Sequence, residues 1–596
     1  MNCGGLSFEN ERAPPEPDVA EGIPTSGPVS VRLKAIFDAD FKFQLRDNPE
    51  FATQAGFHEH GAELQSLFPR DWERRQETNA TLIAKLDELD LTAEDVTEEQ
   101  RLHAKLLKAA MSDESRAIEL GCHLMPINSI GVGGVYNNFL ELLEWMPFET
   151  EEDFGKYLAR LMAFPKQVEG FQDLLAYGSG MRGMTASKSM MQGVAARLKE
   201  LTEGDLAELR APLEGKTVDP ELAEQIKQAI EHCFKGSLRG LQDFLVGFYG
   251  SRARPLPGIK AVRDGAAIYE MCLKYHTTTN KTAEEIHNLG LKEVARIEGR
   301  FQTEVLDVLG FTGTFVEFAE SLKKDPGMHY ESEEELLAGY RALVERIQEK
   351  LPKFFKHLPK TPLEVVPNKQ GPMAYYFAGT ADGKRPGRFY VNVTRLEERG
   401  KYNMPVLALH EGIPGHHLQG ALALENENLP DFLRYIEDRR YEYCPARRPL
   451  YTGYLEGWAL YCEWLGEEME MYTTPQELFG RLSMEMMRAV RLVVDTGIHA
   501  MDWTVEQASA YMEEKTGMPS KDCVQECNRY AAWPGQACAY KVGQLALEEA
   551  RDAAKAALGE RFDYGEFHDL ILSAGPLPLD ILKERVDAWV SASAPA

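Results

Sequence analysis

No apolar run in this chain approaches the roughly 18 residues that a membrane-spanning helix needs. The N-terminal stretch Met-Asn-Cys-Gly-Gly-Leu-Ser-Phe-Glu-Asn has neither a basic start nor an apolar segment, so it does not read as a secretory signal. Cationic residues are short, at 66 Lys and Arg against 94 Asp and Glu, a net charge of −28. Nucleic-acid binders carry a basic footprint, so that partner class is disfavoured, as is a membrane. Cysteine is scarce as well. There are nine, an odd number, and no Cys-x-x-Cys pair occurs although Cys523, Cys527 and Cys538 cluster. Reduced thiols and a cytoplasmic setting are expected. The glycine-rich stretch 126–134 lacks the Lys-Ser/Thr of a phosphate loop, so it reads as a hinge or a loop rather than a nucleotide site.

What is present is an ordinary globular composition, 44% hydrophobic and 27% charged, in 596 residues. That length predicts more than one subdomain. Residues 1–28, rich in Pro, Glu and Gly, are expected to be disordered. Residues 29–356 carry helical signals and form an expected N-terminal helical lobe. Thr282 with Glu285, Ser332 with Glu335, and Thr504 with Gln507 have the spacing of N-terminal caps. Leu336, Tyr340, Leu343, Ile347 and Leu351 follow at helical intervals. Residues 357–596 form the expected second lobe. Its opening is richer in Pro and Gly, with two predicted strands over 373–378 and 387–393.

The chemistry concentrates in His410-Glu411-Gly412-Ile413-Pro414-Gly415-His416-His417, which follows the apolar run 404–409. Imidazoles hold metals, and a carboxylate beside the first imidazole can work on a metal-activated water. The spacing departs from His-Glu-x-x-His, in which both histidines share one helical face. On an ideal helix a residue six on points about 120° away, and one seven on lies about 10 Å up the axis. Pro414 and Gly415 predict a broken or bulged helix that swings His416 or His417 back towards His410. Glu456 is the best candidate for a third ligand, because it lies among apolar and aromatic residues, where a carboxylate is costly unless paired or metal-bound. Glu463, seven residues on, reads equally well as a supporting group or as a solvated helix glutamate.

His-Glu-Gly-x-Pro-Gly-His-His-x-Gln followed by Glu-Gly-Trp-Ala-x-Tyr resembles a large, mainly bacterial family of predicted metallopeptidases, known as a domain of unknown function. The blocks 382–392, 491–499 and 529–543 are similar to that family too, and the likeness runs from about residue 30 to near the C-terminus. It implies a mainly α, two-lobed fold around a deep cleft, with a small β-sheet before the zinc helix, similar to the gluzincin peptidases. It also implies zinc as cofactor and an oligopeptide as substrate. His410, His416 and Glu456 are the implied ligands, and Glu411 the general base in peptide-bond hydrolysis. By the same resemblance Tyr540, or else Tyr530, donates to the oxyanion, while Tyr390 and Asn392 contact substrate.

Other residues add a supporting layer. Arg491, Asp495 and His499 share one face of an otherwise apolar helix, so Asp495 and His499 are candidates for groups behind the metal ligands. Arg529 is a candidate grip for a substrate carboxylate. Two alternative readings stand beside the peptidase: a zinc hydrolase of small amides or esters, and a non-catalytic binding protein on the same fold. Cleavage preference and oligomeric state are not legible.

Overall fold

The computed structural model describes residues 19–128, 134–369, 371–380, 383–437 and 440–593. The expected disorder over 1–18 and most of the expected hinge over 126–134 lie outside the described residues. Residues 19–28 form turns, and the first helix opens at Val29. Among the described residues every cysteine is a free thiol, and no helix is long and apolar enough to cross a membrane.

The chain divides into two compact units, mainly helical throughout. The first comprises Met1–Pro255 with Pro430–Arg448; the second comprises Leu256–Leu429 with Pro449–Ala596. The division falls earlier than the expected boundary at 356. The helices after residue 264 pack with the C-terminal ones, because their apolar faces find partners there. The principal helices of the first unit are α1 (Val29–Asp47), α2 (Pro69–Asp87), α3 (Glu98–Leu120) and α4 (Glu151–Tyr177). Capping boxes at Thr97 and Thr150 satisfy the first amides of α3 and α4. Leu33, Ile36, Phe37, Leu82, Leu86, Leu107 and Met111 form a shared core. The returning segment 430–448 is held by charge. Arg448 pairs with buried Asp40 and, at 2.7 Å, with Glu114, while Glu437 accepts from Asn48 at 2.6 Å.

In the second unit α5 (Gly265–Thr277), α6 (Ala283–Arg300) and α7 (Glu333–Lys350) precede a three-stranded sheet. The caps expected at Thr282, Ser332 and Thr504 are all formed. The sheet order is β1 (Leu363–Asn368), β3 (Gly387–Asn392), β2 (Ala374–Phe377). β2 and β3 are the two expected strands; they pair antiparallel, with Tyr375 opposite Tyr390. β1 was not expected; it runs parallel to β3, with Val366 opposite Tyr390.

Then come α8 (Met404–Leu407), α9 (His416–Glu425), α10 (Thr452–Glu468), α11 (Pro475–Ala500), α12 (Ser520–Ala532) and α13 (Gln536–Leu558). α11 packs against α6 through a core that includes Val294, Ile297, Phe301, Leu482, Met486 and Val490. α10 and α13 meet backbone to backbone. A Cβ on Gly543 would lie 1.9 Å from the Gly453 carbonyl oxygen, and one on Gly457 2.5 Å from the Gly543 Cα. Glu456 on α10 and Tyr540 on α13 flank this crossing.

Candidate metal centre

The expected break in the motif helix is present. α8 passes into a π-helical segment, Ala408–Gly412, and a new helix starts at His416. Between them the chain folds back so tightly that a Cβ on Gly415 would sit 2.0 Å from the His410 carbonyl oxygen. Only glycine fits there. Trp458 on α10 donates from its indole to the Pro414 carbonyl at 2.8 Å, tying the break to the helix that carries Glu456. The result sets the His410 and His416 rings 4.8 Å apart, nearly perpendicular.

Glu456 completes the group. Its Oε2 lies 3.5 Å from His410 Nε2 and 3.4 Å from His416 Nε2. One ligand atom from each of the three side chains falls within 4.8 Å of the others, which marks this group among the described residues as able to hold a metal ion. Ligand atoms about 2.0–2.1 Å from a tetrahedral zinc lie about 3.4 Å from one another, and the two histidine–carboxylate separations match that figure. They are too long for good hydrogen bonds, and the buried Oε2 has no other hydrogen-bond partner. A buried carboxylate oxygen left this way is costly unless a cation faces it. The residues therefore fit a divalent metal.

The electrostatics agree. Burial alone would raise the Glu456 carboxyl, but the facing histidines hold it well below the usual carboxylate range. Burial alone would lower the His410 ring; Glu456 and Glu463 push it up to about 9. Without a metal the ring thus keeps a proton that an incoming cation must displace.

Glu463 is the group behind His410. It is buried and accepts from Nδ1 at 2.7 Å, and since a carboxylate only accepts, this leaves Nε2 turned to the centre. Arg488 on α11 pairs with the same Glu463 oxygen at 3.3 Å. The reading as a solvated glutamate is set aside.

The candidates Asp495 and His499 lie elsewhere. Asp495 accepts from the Tyr269 hydroxyl at 2.6 Å and the Gly535 amide at 3.1 Å, so it holds the start of α13 against α5. Its carboxyl is pushed up to about 7, chiefly by burial. His499 spans the Ile259 amide and the Tyr530 carbonyl. Both act in packing, because their turns of α11 face α5, α12 and the start of α13 rather than His410, His416 and Glu456.

His417 is not part of the candidate metal group, because both its ring nitrogens have other partners. Its Nδ1 lies 3.1 Å from the Tyr376 hydroxyl and its Nε2 3.1 Å from the Thr361 carbonyl, so both nitrogens are engaged. Burial lowers this ring to about 4. Glu411 is half-buried and makes no hydrogen bond or ion pair with a described residue.

Tyr540 is half-buried, and its hydroxyl accepts from Gln536 at 3.2 Å, which leaves its own proton unspent. Burial, then the nearby charge of Glu456, push this phenol up to about 12. Tyr530 differs: it is buried and donates to Glu526 at 2.7 Å while accepting from Arg491 at 3.0 Å. All three nitrogens of Arg529 are engaged, two by Glu526 and one by Gln536. Tyr390 stacks on Tyr375 at 4.7 Å. Asn392 donates to the Gly371 carbonyl and accepts from Thr394. These four side chains are spent on their neighbours. Sequence reasoning missed Arg488 and Trp458; the one clue was an arginine and an indole on strongly apolar helices.

Solved structures of two other proteins share the fold. "The putative lipoprotein from Colwellia psychrerythraea" matches at a TM-score of 0.86 and 26% identity, over 95% of this chain and 99% of that one. "A putative lipoprotein of unknown function from Shewanella oneidensis" matches at 0.70 and 17% identity, over 94% and 99%, a likeness of fold alone. No curated protein matches the chain. Residues 49–586 match the family described as "Bacterial protein of unknown function (DUF885)". A match over that span means that the chain belongs to this bacterial family.

Proposed function

We propose that this protein is a zinc-dependent peptidase that hydrolyses peptide bonds in oligopeptides, akin in chemistry to the gluzincins. The observation that carries the reading is the orphaned buried oxygen of Glu456 facing two histidine nitrogens at metal-sharing distances. His410, His416 and Glu456 are the proposed ligands. Zinc held there would supply Lewis-acid polarisation of the substrate carbonyl and a water acidic enough to lose a proton near neutral pH.

The chain's own groups do the rest. Glu411 is adjacent to His410 and its carboxylate is uncommitted, so it takes the proton from the attacking water and passes it to the leaving amine. Tyr540 keeps its proton at neutral pH and donates it as a hydrogen bond to the oxygen that gains negative charge. β2, an edge strand packed beside the segment Ala408–Gly412, offers backbone groups to an extended peptide.

The test is a peptide-library digest read by mass spectrometry, with metal content measured on the same sample. The reading requires cleavage by the wild type and none by Glu411→Gln with zinc retained. Cleavage by both, or by neither, contradicts it. The working location is part of the same reading. The Colwellia protein is described as a putative lipoprotein, which goes against the expected cytoplasmic setting. Fractionation of producing cells separates a membrane-attached form from a cytoplasmic one.

A further inference from the structure

We infer that Arg491 binds the C-terminal carboxylate of the substrate, so that the enzyme releases short fragments from the C-terminal ends of peptides. The inference deepens the peptidase reading and rests on it.

Arg491 is buried on α11, with its guanidinium carbon 4.7 Å from the centre of the Tyr540 ring. Tyr540 in turn lies close enough to Glu456 to have its phenol raised by that charge. Tyr540 thus stands next to the Arg491 guanidinium and within the field of Glu456. Two of the guanidinium nitrogens are committed, Nε to the Tyr530 hydroxyl and Nη2 to Glu526 at 3.2 Å. The third, Nη1, makes no hydrogen bond with a described residue and is not sealed from solvent. Arg529, by contrast, has no nitrogen left.

The local charge balance points the same way. Arg491 and Arg529 share one carboxylate, Glu526, which leaves one positive charge over. Tyr530 and Glu526 fix the guanidinium plane, so little side-chain entropy is lost when a ligand binds. The chemistry that recognises such a group is an anion presented near the scissile bond, and the α-carboxylate of a peptide is the anion every oligopeptide carries. In the reaction one water is consumed, the amide C–N bond breaks, the hydroxyl stays on the acyl carbon and the proton ends on the released amine. The released fragment carries the carboxylate held by Arg491.

The experiment compares N-acetyl-tetraalanine as the free acid and as the C-terminal amide. Binding is measured by calorimetry on the full chain carrying Glu411→Gln, which the proposed mechanism leaves without turnover. Hydrolysis is measured on the wild type. One charged hydrogen-bond partner corresponds to a free acid that binds about 10- to 100-fold more tightly than the amide. Arg491→Met should bring the two affinities together. Equal binding of acid and amide by the Glu411→Gln protein overturns the inference, as does an acid preference that Arg491→Met leaves intact. If Arg491→Met does not fold, the acid–amide comparison decides alone. An acid preference in binding with no wild-type hydrolysis of either peptide keeps the carboxylate site and defeats the peptidase reading.

Discussion

The Trp458 indole donates to the Pro414 carbonyl at 2.8 Å, and this bond joins the broken motif helix to the helix that carries Glu456. Trp458 lies two positions from Glu456, so one turn of α10 both carries the proposed ligand Glu456 and anchors the chain that presents His416. Trp458→Phe keeps most of the ring's packing but strands a buried carbonyl, which costs about 1–3 kcal/mol. The expected outcome in chemical denaturation is a lower midpoint with an unchanged slope. Zinc should also be lost at a lower chelator concentration than in the wild type.

Glu463 orients His410, and Arg488 holds Glu463. Glu463→Gln should weaken zinc binding about 10- to 100-fold, the usual effect of removing a carboxylate behind a ligating histidine. Asp495→Asn should leave zinc affinity where it was. A competition titration against a fluorescent chelator measures both. Equal weakening by the two substitutions would return the supporting role to Asp495.

Tyr540→Phe should lower kcat about 10²–10³-fold with little change in KM, the loss expected for one oxyanion donor. Tyr530→Phe instead breaks the bond to Glu526, so its effect should appear in thermal melting before it appears in kcat. Steady-state kinetics and melting curves of both variants separate the roles. A normal Tyr540→Phe beside a crippled Tyr530→Phe would exchange them.

Asp495 gives a pH dependence with a defined sign. Burial raises its carboxyl to about 7 in the folded chain from an ordinary 3.8. The folded state therefore binds a proton that the unfolded state has released. This contribution to stability is full below about pH 4, falls as pH rises to about 7, and then levels off. The wild type should lose more stability than Asp495→Asn between pH 5 and 8, and melting temperatures across that range measure it. Parallel curves for the two proteins would remove Asp495 as the source.

The sequence was most informative where structure is local. The cap at Thr282 uses an amide three residues on, and the break at 412–415 follows from a proline and a glycine within one turn. β1 was hidden because Leu-Glu-Val-Val-Pro-Asn is short, ends in two poor strand formers, and takes its stability from β3, a later segment. Glu463 was ambiguous because its partner His410 is 53 residues away. The polar stripe of α11 was visible, but periodicity does not tell which turn faces which neighbour. Arg488 faces Glu463, whereas Asp495, two turns on, faces Tyr269. The return of 430–448 to the first unit depends on Arg448 meeting Asp40 across 408 residues.

Metal content of the purified chain and its single variants tests the central claim most directly. The account predicts about one zinc per wild-type chain, and loss of that zinc in His410→Ala, His416→Ala and Glu456→Ala. His417→Ala should retain it, because the His417 nitrogens are engaged by Tyr376 and Thr361. A wild type without bound metal after growth in zinc-supplemented medium would contradict the account. So would a His416→Ala protein that keeps full zinc while His417→Ala loses it.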